Sequence, residues 1–277
     1  MGFRINTNVV SLATQRTLSK NANAKADSIS KLSTGQRIVK AADDAAGLAI
    51  SEKLRSQIRS LNQAERNAND GISLIQTAEG AMNEISSIIT RLRELSIQSA
   101  SDTVGDSERS FTDMEYQNLK QEIERISQVT EFNVKKLLDG SGDKYDFQIG
   151  INNDQFQDRL QFDAAASNTT LDSLSMNDLN VSNKQSAQSS LGILDSALTK
   201  ISGQRARLGA VQNRLVSTTT NLQVTTENLS AANSRIRDTD YAAESAQNVQ
   251  QSILTEAGTA VLAQANVMGQ NALKLIG

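Results

Sequence analysis

The chain contains no cysteine, no histidine, no proline and no tryptophan. Without Cys and His there is no disulfide framework, no Cys/His zinc site and no nucleophile that relies on a Cys or His base. Without Pro, no position forbids helix by losing an amide donor and clashing with the turn before it, so very long helices are permitted. Aromatic residues make up 3% and hydrophobic residues 38% of the 277 positions. That is lean for one thick core but suits thin helix–helix seams, where a narrow apolar stripe suffices. The length fits one or two domains. A formal charge of -3 argues against nucleic acid as the main partner, because a basic face is then expected. No apolar run reaches about 18 residues, so no membrane-spanning helix is expected. The opening Met1-Gly2-Phe3-Arg4-Ile5-Asn6 has no apolar core of a cleavable signal peptide, and Asn6 breaks the myristoylation pattern. Export, if it occurs, is expected by another route.

What is present is mostly helical periodicity. A first long helix is expected to begin near Asp43-Asp44, whose carboxylates can cap free amides and complement the dipole. A catalytic carboxylate pair is the rival reading there, but no base or pocket-forming constellation accompanies it. Leu54, Ile58, Leu61, Ala68, Ile72, Ile75 and Met82 follow 4-3 spacing, with Glu65 and Glu79 at the missing seam positions. Ile85, Ile88, Leu92 and Leu95 continue the stripe after a phase shift. From Asp44 to Gln98 this helix spans roughly 80 Å at about 1.5 Å per residue. Gly47, Gly71 and Gly80 weaken it or permit close approach of a neighbour.

A second long helix is plainer. Leu194, Ile201, Leu208, Leu215, Leu222, Leu229 and Ile236 recur every seven residues. The companion row reads Leu191, Leu198, Arg205, Gln212, Thr219, Thr226, Asn233, so it turns polar halfway. Polar seam positions lower stability and set register and partner choice. Arg205 is a candidate partner for Glu65 or Glu79. The economical arrangement is an antiparallel hairpin of the two long helices, joined by a third between Met114 and Leu138 with Leu119, Ile123, Ile126 and Val129–Val134 on its apolar side.

The middle of the chain changes period. Tyr145, Phe147, Ile149 and Ile151 alternate with polar residues or Gly, which predicts a strand. Leu160 and Phe162 suggest its partner, with Asn152-Asn153-Asp154 in the turn and Gly140-Ser141-Gly142 as punctuation before it. Residues 164–190, rich in Ser, Asn, Thr and Ala, read as a connector. Its N-x-S/T triplets fit the glycan acceptor pattern, a match expected by chance in such a composition. At the chain ends, Ile5, Val9 and Leu12 start an amphipathic helix that Ile29 and Leu32 continue. Leu254, Val261, Ala265, Met268, Ala272 and Leu275 form a stripe, with Ile253, Leu262 and Val267 on other faces. Ends that are apolar on several sides need more than one partner.

Several runs resemble bacterial flagellin: Ile5-Asn6-Thr7-Asn8, Leu32-Ser33-Thr34-Gly35-Gln36-Arg37-Ile38, residues 41–50 and Arg66–Ser73, then Ile236–Ala242 and Ala257–Asn266. The similarity covers roughly residues 1–140 and 185–277. It implies a mainly α fold: a long antiparallel coiled-coil bundle, a small β-hairpin near 143–163, and paired N- and C-terminal helices. Residues 1–40 with 240–277 would line the inner tube of a filament, and 41–239 its outer core, with no large variable outer domain. The implied function is a non-enzymatic subunit, without cofactor, catalytic residue or metal, that polymerises into the extracellular flagellar filament for motility. Ile5, Val9, Leu12, Leu254, Val261, Met268 and Leu275 are the expected assembly residues. Implied partners are other copies, an export chaperone, the filament cap and hook-junction proteins; no membrane is implied. Arg91–Gln98 resembles the segment by which many flagellins bind Toll-like receptor 5, giving Arg91, Leu95 and Glu115 as receptor contacts, although the linker Asp102–Thr112 departs from the pattern. Unaided by the resemblance, Arg91 and Arg93 read as a solvated helix face. Rival readings are a signalling helical rod, which would bury its apolar residues within the hairpin, and a junction protein or minor flagellin with similar helices.

Overall fold

In the computed structural model, residues 7–274 are described, with side chains through residue 267. Five helices carry the chain: α1 Val9–Thr34, α2 Ala45–Ser99, α3 Asp106–Val129, α4 Lys184–Arg237 and α5 Tyr241–Lys274. Two hairpins lie between α3 and α4: β1 Glu131–Phe132 with β2 Lys135–Lys136, and β3 Lys144–Gln148 with β4 Arg159–Asp163. The chain divides into two compact units: Met1–Ile58 with Glu227–Gly277, and Arg59–Thr226.

The central unit, Arg59–Thr226, has an apolar core. Ile75, Ile85, Ile89, Leu92, Tyr116, Ile123, Leu138, Leu194 and Ile201 are fully buried. The side-chain pairs Glu65–Gln223, Glu79–Arg205 and Arg93–Asp195 descend along α4 as they ascend α2, so the two long helices run antiparallel, as the sequence predicts. The expected Arg205 pairing is made with Glu79, at 3.7 Å. The heptad row Leu194, Ile201, Leu208, Leu215 and Leu222 is buried along its length, because each side chain faces the same neighbours every second turn.

The two hairpins differ from expectation in instructive ways. The expected third helix, 114–138, is displaced toward the N-terminus. It begins at Asp106, where Asp106 and Glu108 sit in the first turn and complement the helix dipole. The acidic stretch that looks like a linker is thus a helix start. Arg109, buried there, donates to Ser99 O and Ser101 O and covers carbonyls that the end of α2 leaves free. The helix also stops early, because Asn133 and Val134 both take positive φ and form the two-residue turn of the β1–β2 hairpin. In the second hairpin, Tyr145 pairs with Phe162 and Phe147 with Leu160. The strand ends at Gln148; Ile149 and Ile151 lie in the loop that Asp158 organises by accepting from the amides of Asn152 and Asp154.

The connector 164–183 has almost no ladder of its own. Side chains of α3 meet its backbone instead. Asp113 accepts from Val181 N (2.8 Å), Glu124 accepts from Leu171 N (2.9 Å), and buried Lys120 donates to Asn177 O and Leu179 O. Burial pushes the Lys120 ammonium below its ordinary range.

Candidate assembly interface

The terminal unit is built around α1 and α5. Asn8 caps α1, its Oδ1 accepting from Ser11 N at 3.0 Å. Asp240 caps α5 by accepting from Ala242 N and Ala243 N. Asp44 caps α2 by accepting from Gly47 N at 2.8 Å, as its sequence position predicts. Neighbouring Asp43 accepts from the amides of Lys40 and Val39, which hold its carboxyl below the usual range. A Cβ on Gly47 would collide with the Asp44 carboxylate and approach Ile38 Cδ1 to 2.9 Å, so glycine there makes room for the cap and for Ile38.

α1 and α5 pack through small and polar groups. Ser11 and Ser28 of α1 and Ala265 of α5 are buried. Asn8 Nδ2 donates to Ala265 O at 2.8 Å, and Ser11 Oγ donates to Asn266 Oδ1 at 2.8 Å. Gly258 lies opposite Leu18, where a Cβ would approach within 3.2 Å. Glu244 Oε1, Asn248 Oδ1 and Gln251 Oε1, on one stripe of α5, are buried with no donor among the described residues.

Leu18, Leu32 and Leu262 are half-buried, and the other larger apolar groups are exposed. Val9 is 63% exposed, Ile253 60% and Val261 54%. Leu12, Ile29, Leu254 and Val267 are exposed too. An apolar groove of about 550 Å³ runs between α1 and α5, with Val9, Leu18, Leu254 and Val261 in its wall. Among the assembly candidates, Val9, Leu254 and Val261 therefore line one groove of the helix pair, and Leu12 is exposed on α1 outside it. Ile5, Leu275 and the side chain of Met268 lie outside the described residues.

The other candidate group is in the central unit. Arg91 donates to Glu115 Oε1 (3.0 and 3.1 Å) and to Glu94 Oε2 (2.9 Å), and these carboxylates raise its affinity for the proton, Glu94 first. Leu95 is 2% exposed and belongs to the core beneath. Among the described residues no group of three or more Asp or Glu side chains is arranged to hold a metal ion, and no helix is long and apolar enough to cross a membrane.

A central bundle that fills itself, joined to a helix pair that leaves its apolar side open, defines a class of self-associating helical proteins. The chain belongs to the bacterial flagellin family. Residues 5–143 match the bacterial flagellin N-terminal helical region and residues 191–276 the C-terminal helical region. It is 44% identical to a flagellin of Halalkalibacterium halodurans over 98% of this chain and 99% of that one. It is 41% identical to the flagellar filament core protein flaB2 of Brachyspira hyodysenteriae, over 98% and 99% of the two chains. Among solved structures, Bacillus cereus flagellin superposes with a TM-score of 0.51 and 31% identity, covering 61% of this chain and 94% of that one. The protein is thus a structural subunit of the flagellar filament and not an enzyme.

The apolar candidates are visible in the sequence, whereas residues 35–37 and 236–239 stand there only as family motifs. The available signal is the coincidence of two helix breaks, at Gly35 and at Asp238-Thr239-Asp240.

Proposed function

We propose that subunits join through the exposed side of the α1–α5 pair, with Ile5, Val9, Leu12, Leu254, Val261, Met268 and Leu275 covered by neighbouring copies. In this reading residues 1–40 and 240–277 line the inside of the tube and 41–239 form the wall. The observation that carries it is the inversion of burial: the seam holds serines and an alanine, while Val9, Leu12, Ile253 and Val261 face water. A helix pair with so little apolar area between its members does not offset the entropy of ordering them, about 1–2 kcal/mol per residue. The apolar sides supply the deficit only when other subunits cover them, so folding of the ends is coupled to assembly. This accords with export of an unfolded chain, with a chaperone guarding the ends, and with addition under a cap onto a hook-junction base.

Removal of residues 1–34 or 240–277 leaves a soluble, partly helical monomer that does not polymerise. Electron microscopy after seeding or salting-out checks this, and tubular filaments from either truncation overturn the reading.

A receptor role for the Arg91 region is the second reading, favoured by the exposed Arg91–Glu115 pair. Arg91 and Glu115 would touch Toll-like receptor 5, while Leu95, packed beneath, would hold the helix that presents them. R91E monomer is expected to signal at least tenfold more weakly in receptor-bearing cells; equal signalling retires it.

A further inference from the structure

Two helix breaks meet inside the terminal unit. α1 ends at Gly35, whose positive φ turns the chain out of the helix. α4 ends at Arg237, and α5 begins at Tyr241. Between these breaks Gln36 and Asp238 form an antiparallel bridge. Arg37 N donates to Arg237 O at 2.7 Å, and Thr239 N donates to Gly35 O at 3.0 Å. The Arg37 guanidinium donates to Ile236 O at 2.7 and 3.2 Å, covering a carbonyl that the end of α4 leaves free. Arg237 works in the opposite direction. Its Nε donates to Gln36 Oε1 at 3.1 Å and its Nη1 to Glu52 of α2. Its side chain is only 16% exposed.

We infer that this polar staple, centred on Arg237, is the point from which the terminal helices pair, and that Arg237 is a positioning residue for assembly. The inference rests on the assembly reading above. Three features lead to it. The staple ties α1, α2 and α4 together through backbone and charged contacts at one place. Among the described residues, the seam beyond it holds buried acceptors without donors and no fully buried apolar side chain larger than Ala265, only the half-buried Leu18, Leu32 and Leu262, so it has little means to start pairing by itself. Helix pairing that grows from a fixed point adds one turn at a time, whereas pairing begun at the far end must first close the flexible loop formed by the two terminal arms. The staple also fixes register. A slip of one residue rotates a helix by roughly 100°, which would carry Val9 or Val261 out of the groove they share.

Hydrogen exchange on the full-length, unpolymerised chain and elongation from wild-type filament seeds test this together. In the wild type, amides at 35–39 and 236–240 are expected to exchange at least tenfold more slowly than those at 9–20 and 255–267. R237A is expected to erase that protection, to leave residues 59–226 unchanged and to slow elongation at least fivefold. R237K, which keeps a cation for Glu52 but loses the fork that also reaches Gln36, is expected to recover an intermediate rate. E52Q, of nearly equal volume, moves both readouts the same way by less, and serves if R237A fails to fold. Staple amides that exchange as fast as 9–20 in the wild type overturn the inference, as does an R237A chain that elongates at the wild-type rate. A wild-type chain that does not elongate its own seeds overturns the assembly reading instead; the exchange arm then decides the staple alone.

Discussion

The central unit and the terminal unit bury different things. Around Ile85, Ile89 and Leu92 of α2, the central unit excludes water from aliphatic side chains contributed by α2, α3, α4 and the β3–β4 hairpin. The α1–α5 pair fully buries Ser11, Ser28 and Ala265, holds Leu18, Leu32 and Leu262 half-buried, and leaves Val9, Leu12, Ile29, Ile253, Leu254, Val261 and Val267 in water. Hydrophobic burial is the main favourable term in folding, so the first region stabilises itself and the second awaits a partner. The same contrast runs along α4. Along the heptad row, Leu194 through Leu222 are buried, whereas Leu229 and Ile236 are half-exposed, and Thr226 Oγ1 and Asn233 Oδ1 are buried with no donor among the described residues. The companion row turns polar earlier, from Arg205, so burial of the apolar row outlasts that change.

The largest effect that tests the contrast is truncation of an apolar side chain in each region. I89A should destabilise the monomer by about 2–5 kcal/mol, the usual range for emptying a packed aliphatic site. V261A should leave the monomer's urea midpoint unchanged and raise the concentration needed for seeded growth at least fivefold. Chemical denaturation and sedimentation assays read the two outcomes. A V261A monomer that loses stability like I89A would show that the terminal pair carries its own core, and the contrast would fall.

Glycines sharpen the picture within α2. A Cβ on Gly71 would meet the Phe147 ring at 3.1 Å and Leu215 at 3.3 Å, whereas one on Gly80 meets nothing within 4 Å. Overpacking a filled site costs about 1–3 kcal/mol, and removing a glycine from an open helix position gains about 0.5–1 kcal/mol. G71A should therefore destabilise and G80A stabilise. Thermal melts that shift the same way for both would mean that the hairpin does not press on α2 at Gly71.

A third substitution addresses strain in the same unit. Val134 has a positive φ and is 86% exposed, so a β-branched side chain occupies a left-handed position with no packing in return. Such a conformation costs about 1–2 kcal/mol for a residue with a Cβ, and part of that gain is offset by glycine's greater unfolded-state freedom. V134G should stabilise by about 0.5–1 kcal/mol, the difference between those two effects. A neutral or negative shift in the urea midpoint would place the strain elsewhere in the hairpin.

Much of this arrangement is legible in the sequence because period is a strong signal over long spans. The row from Leu194 to Ile236 requires one helix, and the alternation at Tyr145 and Phe147 requires a strand. Bounds are less legible where two signals compete. Asp106 and Glu108 read as a charged linker but complement the dipole of α3, and the apolar residues Val129 and Val134 read as helix although Asn133-Val134 makes a tight turn. Single-position needs are hidden because they depend on contacts distant in sequence. Nothing near Gly71 announces Phe147, and nothing near Asp113, Lys120 or Glu124 announces the connector backbone they hold. The apolar ends are visible as residues, but that they turn away from their own seam emerges only in the structure.

Acid gives the smallest effect and separates the units most finely. Asp43 of the terminal unit is held below its ordinary value of 3.8 by the Lys40 amide first and the Val39 amide next. Asp154 of the central unit is held below the same value by the amides of Gln157 and Phe156. A carboxyl with a depressed native pKa contributes stability that is fully present above its unfolded pKa and is lost as pH falls through the native one. Both contributions are therefore constant above about pH 5 and fade below 3.8. Both groups are fully exposed, so each contribution is small. Their consequences differ because of what lies behind them. In the central unit the apolar core remains when the Asp154 turn loosens. In the terminal unit the turn between α1 and α2 depends on Asp43, and the adjoining helix pair has little buried apolar area in reserve. Exchange followed from pH 5 to pH 3, corrected for the intrinsic rate, should show residues 37–44 opening while residues 75–92 stay protected. Simultaneous opening of both segments would mean that the two units share one cooperative transition.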